Sequence, residues 1–420
     1  MAKSLYICYF GVDQPLVQTQ VIPYLRELVK GGHELTLLTF EPGDVNEEGV
    51  RTSLAADGIA WHWLRYHKRP SLQATLFDIA NAARFIRKMN AEKKFDILHA
   101  RSHVPMMMAA FSRKLSRHKP KLLFDIRGFM PEEYVDAGVW KDGGSVYKNV
   151  KRVENWMMRE ADGFVVLTEK ARDILADETG PRPVQVIPCC VDLERRFSGD
   201  HEGLREKIRN DLGVEGRYVL LHLGALGGLY MVDEIADLLA VAREKNNSTY
   251  ALFLTQSDPQ LIEPLLLERG FSEGDYFIGK VRPDQIEGWL HASDVGLSVV
   301  RSSYATASRS PTKIPEYLAA GLPIIANAGV GDVDRMIIEN RVGAILEGFT
   351  KEDYLSALER IDGLGVLLDE FSSEGYRKAI QAVSALTDVR ERCIEVAHRE
   401  FDLETVGGVR YRRIYERLAN

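Results

Sequence analysis

Twice in this chain a short apolar run ends at a glycine, crosses a loop, enters a helical pattern and returns as a second apolar run. The first instance is Ser4–Phe10 (SLYICYF), a loop from Gly11 to Gln20, a predicted helix from about Val17 to Lys30, and Leu35–Phe40. The second is Tyr218–Ala242 (YVLLHLGALGGLYMVDEIADLLAVA) followed by Tyr250–Thr255. A helical crossover of this length joins strands that run the same way, and parallel strands must be covered on both faces. The pattern therefore predicts an α/β chain with two Rossmann-like, doubly wound sheets, whose ligands sit at the carboxyl ends of the strands. The first loop lacks a full G-x-G-x-x-G and is a weak dinucleotide signal on its own.

At 420 residues the chain is long enough for two ordinary domains. No apolar run reaches the roughly 18–20 residues a spanning helix needs, and MAKSLYICYF reads as a strand rather than a leader. Cys8, Cys189, Cys190 and Cys393 form no CxxC pair and no zinc-like spacing, which points to a reducing cytoplasm. The net charge of −7 argues against a nucleic-acid partner. The charge is uneven: residues 1–196 hold 29 Lys+Arg against 25 Asp+Glu, and the rest hold 25 against 36. Basic clusters at Arg65–Arg69, Arg113–Lys121 and Lys141–Arg159 suit either peripheral contact with an anionic inner-membrane face or ordinary solvated helix faces.

In the first half, Ile59–Leu64 reads as a strand and Leu72–Met89 as an amphipathic helix with Leu72, Leu76, Ile79, Ala83, Ile86 and Met89 on its apolar face. Two later strands, Phe95–His103 and one beginning at Leu122, run straight into polar groups. These are His99, Arg101, Ser102 and His103 in one, and Asp125, Arg127, Glu132 and Glu133 in the other. Polar residues at successive strand ends fit a shared cleft; a structural Asp125–Arg127–His network is the alternative. Gly11, Gln14 and Gln18 of the first loop can approach or hydrogen-bond a ligand there. Pro183–Leu193 reads as the last strand of this half, with a linker at about Asp192–Glu215.

In the second half, Gly224, Gly227 and Gly228 let the backbone approach a ligand, and the helix after them points free N–H groups at it. Asp258–Arg269 reads as a helix and Tyr276–Val300 as strand, loop, helix, strand. Ser308–Ala326 (SRSPTKIPEYLAAGLPIIA) reads as turn, short helix, tight turn and buried strand. Ser310, Pro311 and Thr312 are start signals, and Pro315 fits only the first turn, where its missing N–H costs nothing. Gly321 ends the helix. The helix start and Lys313 would then converge on one point suited to an anion, with Glu316 beside it able to accept from a pair of sugar hydroxyls. On the local pattern alone, Glu316 could equally serve only the helix dipole and Lys313 could be a solvated charge. Residues 350–399 read as helical, and Arg410–Leu418 as a final helix.

The segment PTKIPEYLAAGLPII closely resembles the donor-site segment of retaining glycosyltransferases of family 4, which have the GT-B fold. HARSH and FDIRGF are similar to segments of a family 4 subgroup linked to surface polysaccharide assembly. The resemblance implies an acceptor-side domain over 1–195, a nucleotide-sugar domain over 196–400 facing it across a cleft, and a helix over 401–420 returning to the first domain. It places the ribose on Glu316. It also expects a first Glu eight positions earlier, where this chain has Ser308, and that bears on how the donor hexose is held. Family members commonly carry cations near the Gly224 loop. Here that loop has none, so the diphosphate falls to Lys313 and the backbone near Gly227 and Thr312, with Arg309 and Arg282 in reserve. Arg127 stands where many members have a cleft His. The acceptor side implied is Gly11, Gln14, Gln18, Arg101 and His103.

No Asp-x-Asp stands where a metal would bridge the phosphates, so neither metal nor cofactor is expected beyond the nucleotide-sugar co-substrate. The implied activity is retaining transfer from a nucleotide diphosphate sugar to a glycan or lipid-linked acceptor, in surface polysaccharide synthesis. The alternative is a catalytically silent sugar-nucleotide-binding scaffold or sensor.

Overall fold

A computed structural model describes residues 1–69, 71–197, 201–363 and 389–419. The chain divides into two compact units, one of Met1–Cys190 with Leu403–Asn420 and one of Val191–Asp402.

The first unit holds β1 (Lys3–Cys8), β2 (Glu34–Glu41), β3 (Ile59–Arg65), β4 (Ile97–Arg101), β5 (Lys121–Ile126), β6 (Gly163–Val166) and β7 (Val184–Val186). They form one sheet in the order β3-β2-β1-β4-β5-β6-β7, and every pairing is parallel. Alternation along β1 sends Leu5 and Ile7 into one core layer with Phe40 and Phe124, and Tyr6 and Cys8 into the other with Leu25 and Ile414. The order reverses between β1 and β4, so the loops after these strands diverge and leave a crevice at their carboxyl ends.

The second unit repeats the plan with β8 (Tyr218–Leu223), β9 (Thr249–Leu254), β10 (Tyr276–Gly279), β11 (Val295–Ser298), β12 (Ile324–Asn327) and β13 (Gly343–Leu346), in the order β10-β9-β8-β11-β12-β13. Again every pairing is parallel, and the reversal falls between β8 and β11. Two parallel doubly wound sheets are thus present, as the sequence pattern predicts.

Several elements differ from the sequence expectation for local reasons. The single helix over Val17–Lys30 is two, Pro15–Gln20 and Ile22–Lys30, because Pro23 has no N–H for the preceding turn and Val21 leaves helical geometry. The same cause splits Asp258–Arg269 at Pro264 into a tight turn, Pro259–Leu261, and the helix Glu263–Glu268. His103 opens the helix His103–Leu115 instead of closing β4, and β7 stops at Val186, before Pro188. The expected linker carries the helices Leu193–Arg196 and His201–Leu212. The helix Ser71–Lys93 buries Ile79, Ala83, Ile86 and Met89, but Leu72 and Leu76 are 73% and 51% exposed and lie outside its core face. Of the predicted helical stretch 350–399, Lys351–Asp362 and 389–399 are helical, and 364–388 lie outside the described residues.

The last helix, Val409–Ala419, packs Tyr411, Ile414, Tyr415 and Leu418 into the core of the first unit, as expected. Its two tyrosines also reach buried polar groups on β4 and β5. The Tyr411 hydroxyl donates to Asp125 at 3.2 Å, and the Tyr415 hydroxyl lies 2.9 Å from His99 Nδ1. Burial opposes ionisation of Asp125, but Arg127, His99 and Arg101 together more than offset it and hold its pKa at about 2.

In the second unit one side chain ties the strand ends together. Gly296 has no side chain, and a Cβ there would lie 2.5 Å from the Tyr317 ring, so the ring packs directly on β11. The Tyr317 hydroxyl accepts from Leu223 N–H at 2.9 Å, and its own proton faces the carbonyls of Leu297 and Leu221 at 3.2 and 3.3 Å. Tyr317→Phe takes the partner from a buried N–H and should lower stability by about 1–3 kcal/mol, read from the urea midpoint.

Candidate functional site

In the second unit, the loop after β8 begins at the topological switch point. Gly224, Gly227 and Gly228 have φ of +115°, +75° and +65°, which only glycine adopts without strain. The loop then folds back over the end of β11. Arg301 N–H donates to the Leu229 carbonyl at 2.8 Å, and Tyr230 pairs with Val300 as an isolated antiparallel bridge.

Lys313 enters this corner from the other side. It is the first residue of the helix Lys313–Ala319, with Thr312 at the cap position. Pro315 is third in that helix, where no N–H is needed, and Gly321, at φ +73°, closes it as the pattern required. Lys313 is only 4% exposed. Its ammonium sits 4.3 Å from the centre of the Tyr230 ring, and a Cβ at Gly224 would lie 3.7 Å from it. The Nζ atom has no hydrogen-bond partner. Burial pulls its pKa down to about 7, with Glu316 pulling the other way. His222, on β8 beneath, is kept neutral by burial and by the nearby Lys313, and its Nε2–H donates to the Ala225 carbonyl at 3.0 Å. The Tyr230 face supplies a weak cation–π partner, far short of a counter-ion. The corner thus encloses a cation among neutral neighbours.

Glu316 lies one turn along the same helix. Its Oε1 accepts from Arg196 Nη1 at 2.6 Å, and Arg196 comes from the short helix Leu193–Arg196. Ser308 is buried, and its hydroxyl donates to the Ala305 carbonyl at 2.7 Å within the turn Ala305–Ser308. Ser310 and Arg309 stand between that turn and the helix, both half-buried. Arg282 is exposed on the loop after β10.

In the first unit the structure gathers part of the expected acceptor-side set. Gly11 is a point of close approach, where a Cβ would lie 2.7 Å from the Glu41 carboxylate. That carboxylate accepts from Val12 N–H at 3.0 Å, and Gln18 donates to the Val12 carbonyl at 2.8 Å, so the loop is held as a unit. Gln14 occupies the cap position of the next helix without a side-chain capping bond and is exposed. Arg101 pairs in register with Cys8 on one side and Asp125 on the other, at the carboxyl ends of the central strands. Arg127 lies 3.5 Å from the Asp125 carboxylate and 3.7 Å from Cys189 Sγ. The Asp125–Arg127–His99 network, one of the two sequence readings, is therefore present. His103 faces elsewhere, with Nε2 2.9 Å from Glu154 of the helix Ser145–Glu160. Between Arg101 and His103, Ser102 is held at φ +74°, a strained position for a residue with a side chain, and such strain clusters at functional sites. Among the described residues no group of three or more His, Cys, Asp or Glu is arranged to hold a metal ion.

Arg196, Tyr230, His222 and Tyr317 escaped sequence reasoning. Arg196 meets Glu316 across 120 residues and Tyr317 meets Leu223 across 94, while Tyr230 and His222 matter here through their nearness to the distant Lys313. Only a signal spanning those separations could have found them.

The unfolded chain keeps the Lys313 proton up to about pH 10.5, while the folded chain releases it near pH 7. Between these values the unfolded state holds more protons, so stability rises with pH across this window. Lys313→Met should therefore stabilise the ligand-free protein by a few kcal/mol at pH 6 and by less at pH 9, measured by urea unfolding at both. An equal effect at the two values would mean that charge burial is not the cause.

Residues 17–195 match the family model described as Glycosyltransferase Family 4. A curated relative, 2-deoxystreptamine glucosyltransferase of Streptomyces kanamyceticus, is 30% identical over 190 residues, which are 43% of this chain and 46% of that protein. The match thus spans about half the length of that relative. Among solved structures, Anabaena HepE in complex with UDP and glucose aligns over 100% of both chains, with a TM-score of 0.68 and 14% identity. A glycosyltransferase from Rickettsia africae aligns over 99% of this chain and 98% of its own, with a TM-score of 0.69 and 15% identity. Over residues 17–195 the chain is thus similar to glycosyltransferase family 4, and its two halves together carry the GT-B fold.

Proposed function

We infer that the protein is a retaining, metal-independent glycosyltransferase that moves a sugar from a nucleotide diphosphate sugar to a glycan or lipid-linked acceptor, in surface polysaccharide synthesis. The observation that carries this reading is the Lys313 ammonium, buried without a counter-ion beside the Gly224 loop. A buried cation with no partner is costly, and the cost is recovered only when an anion arrives. A nucleotide diphosphate brings that charge together with a ribose whose hydroxyls suit Glu316. HepE, with UDP-glucose bound in a further structure, makes UDP the first nucleotide to try.

In this reaction the bond from the sugar anomeric carbon to the diphosphate oxygen breaks, and its electron pair stays on the diphosphate. The acceptor hydroxyl oxygen bonds to the same carbon on the same face and passes its proton to the leaving phosphate. Lys313 and the loop amides near Gly227 and Thr312 stabilise the charge that grows on the diphosphate. Donors fixed in advance in this way typically supply the largest single catalytic effect, about 3–4 kcal/mol each. Arg101 and Arg127 serve the acceptor side.

Lys313→Ala and Glu316→Ala should each weaken UDP binding by roughly 10- to 100-fold in calorimetry. Unchanged affinity in both would remove this site. A thermal-shift panel of UDP, GDP, ADP and dTDP sugars should single out the true nucleotide, which at about 100 times its Kd adds nearly 3 kcal/mol of stability. Slow hydrolysis of that donor on long incubation separates an enzyme from a silent sensor.

We place the protein in the cytoplasm, in peripheral contact with an anionic membrane. Leu72, Leu76 and Phe77 project from one helix at 73%, 51% and 56% exposure, close in sequence to the basic run Arg65–Arg69. Among the described residues no helix is long and apolar enough to cross a membrane. Phosphatidylglycerol vesicles should carry the protein in flotation and release it at high salt, since each basic residue near the surface contributes about 1 kcal/mol. Flotation with neutral vesicles alone would count against this placement.

A further inference from the structure

Two cations and one carboxylate meet at the start of the helix Lys313–Ala319, and they are not paired as chain proximity would suggest. Lys313 and Glu316 are three residues apart, yet the Lys313 ammonium makes no hydrogen bond, and the ion pair of Glu316 goes to Arg196.

Arg196 is well placed to hold that pairing. Its short helix is capped by Asp192, whose Oδ1 accepts from Arg195 N–H at 3.1 Å. Just upstream, Val191 N–H donates to the Phe401 carbonyl at 2.9 Å, and Leu193 is buried in the core of the unit. The guanidinium reaches Glu316 from this anchored base.

Two consequences follow from elementary electrostatics. First, a guanidinium on Oε1 fixes the plane of the carboxylate. An ionised carboxylate is an acceptor only, with about four lone-pair directions, and Arg196 uses one. The Oε2 edge remains for two neighbouring hydroxyls. Second, a carboxylate already paired with Arg196 does not turn to Lys313, whose charge stays available for the incoming anion.

We propose that Arg196 is a positioning residue for the nucleotide ribose. It orients Glu316 so that the carboxylate receives the vicinal 2′- and 3′-hydroxyls together, and so makes the site selective for a ribose diol. This rests on the reading of Glu316 as the ribose acceptor given above.

The test is a set of calorimetric titrations with two ligands. They are the nucleoside diphosphate chosen by the thermal-shift panel, UDP first, and its 2′,3′-dideoxy analogue. Wild-type protein should prefer the diol by about ten-fold or more. Arg196→Ala should lose about ten-fold in affinity for UDP and nothing for dideoxy-UDP, so that the preference collapses. Arg196→Lys should restore part of it, since a point charge orients a carboxylate less strictly than a planar fork. Equal loss for both ligands, or a preference that survives in Arg196→Ala, would overturn the proposal while leaving Glu316 as the ribose acceptor. A wild-type protein with no diol preference would remove the Glu316 reading itself, and this proposal with it.

Discussion

An ammonium without a counter-ion, enclosed between a glycine loop and an aromatic face, is the constraint on which the second unit turns. Such a group is held in place by surrounding structure rather than by its own interactions. The Tyr230 face, the neutral His222 and the absence of side chains at Gly224, Gly227 and Gly228 define its position, yet none of them neutralises it. Its lowered proton affinity has the same origin as the role proposed for it, because in a poorly solvated corner an anion attracts a cation more strongly than in water. In the proposed function, stability and binding thus pull against each other at this residue, as they do wherever a site is organised before its ligand arrives.

The corner depends on the sheet. Parallel strands whose order reverses between β8 and β11 open a crevice at their carboxyl ends, and the loop after β8 and the helix Lys313–Ala319 both lie there. Tyr317 joins the two by bonding to β8 with its hydroxyl and packing its ring on Gly296 of β11. A short helix of this kind would have little stability by itself. Its buried face, Ile314, Tyr317 and Leu318, and the tight turn at Gly321 fix it in the core.

The first unit shows a different use of buried charge. Asp125 is surrounded by Arg127, Arg101, His99 and the hydroxyl of Tyr411, so its ionised form is favoured despite complete burial. Two tyrosines of the last helix enter that cluster, which makes the chain terminus part of the first sheet's polar core. The strained Ser102 lies at the same strand ends, where the sheet order reverses for the first time.

Much of this was legible in the sequence because it is governed by short-range rules. Apolar runs separated by helical periods specify parallel strands and crossovers, and Pro315 and Gly321 fix where one helix begins and ends to within a residue or two. The positions of Lys313 and Glu316 near a common point followed from helix geometry alone. Where local rules misled, as at Pro23, Pro264, Leu72 and Leu76, the competing effect was a missing N–H or a helix face that extends past the core. What the sequence could not supply was pairing at a distance. Lys313 was readable as a cation, but its lack of a counter-ion, its contact with Tyr230 and the diversion of Glu316 to Arg196 depend on segments about 80 to 120 residues away. Local preferences act over a few bonds, whereas burial, proton affinity and the choice of ionic partner are decided by whatever the folded chain brings into the same few ångströms.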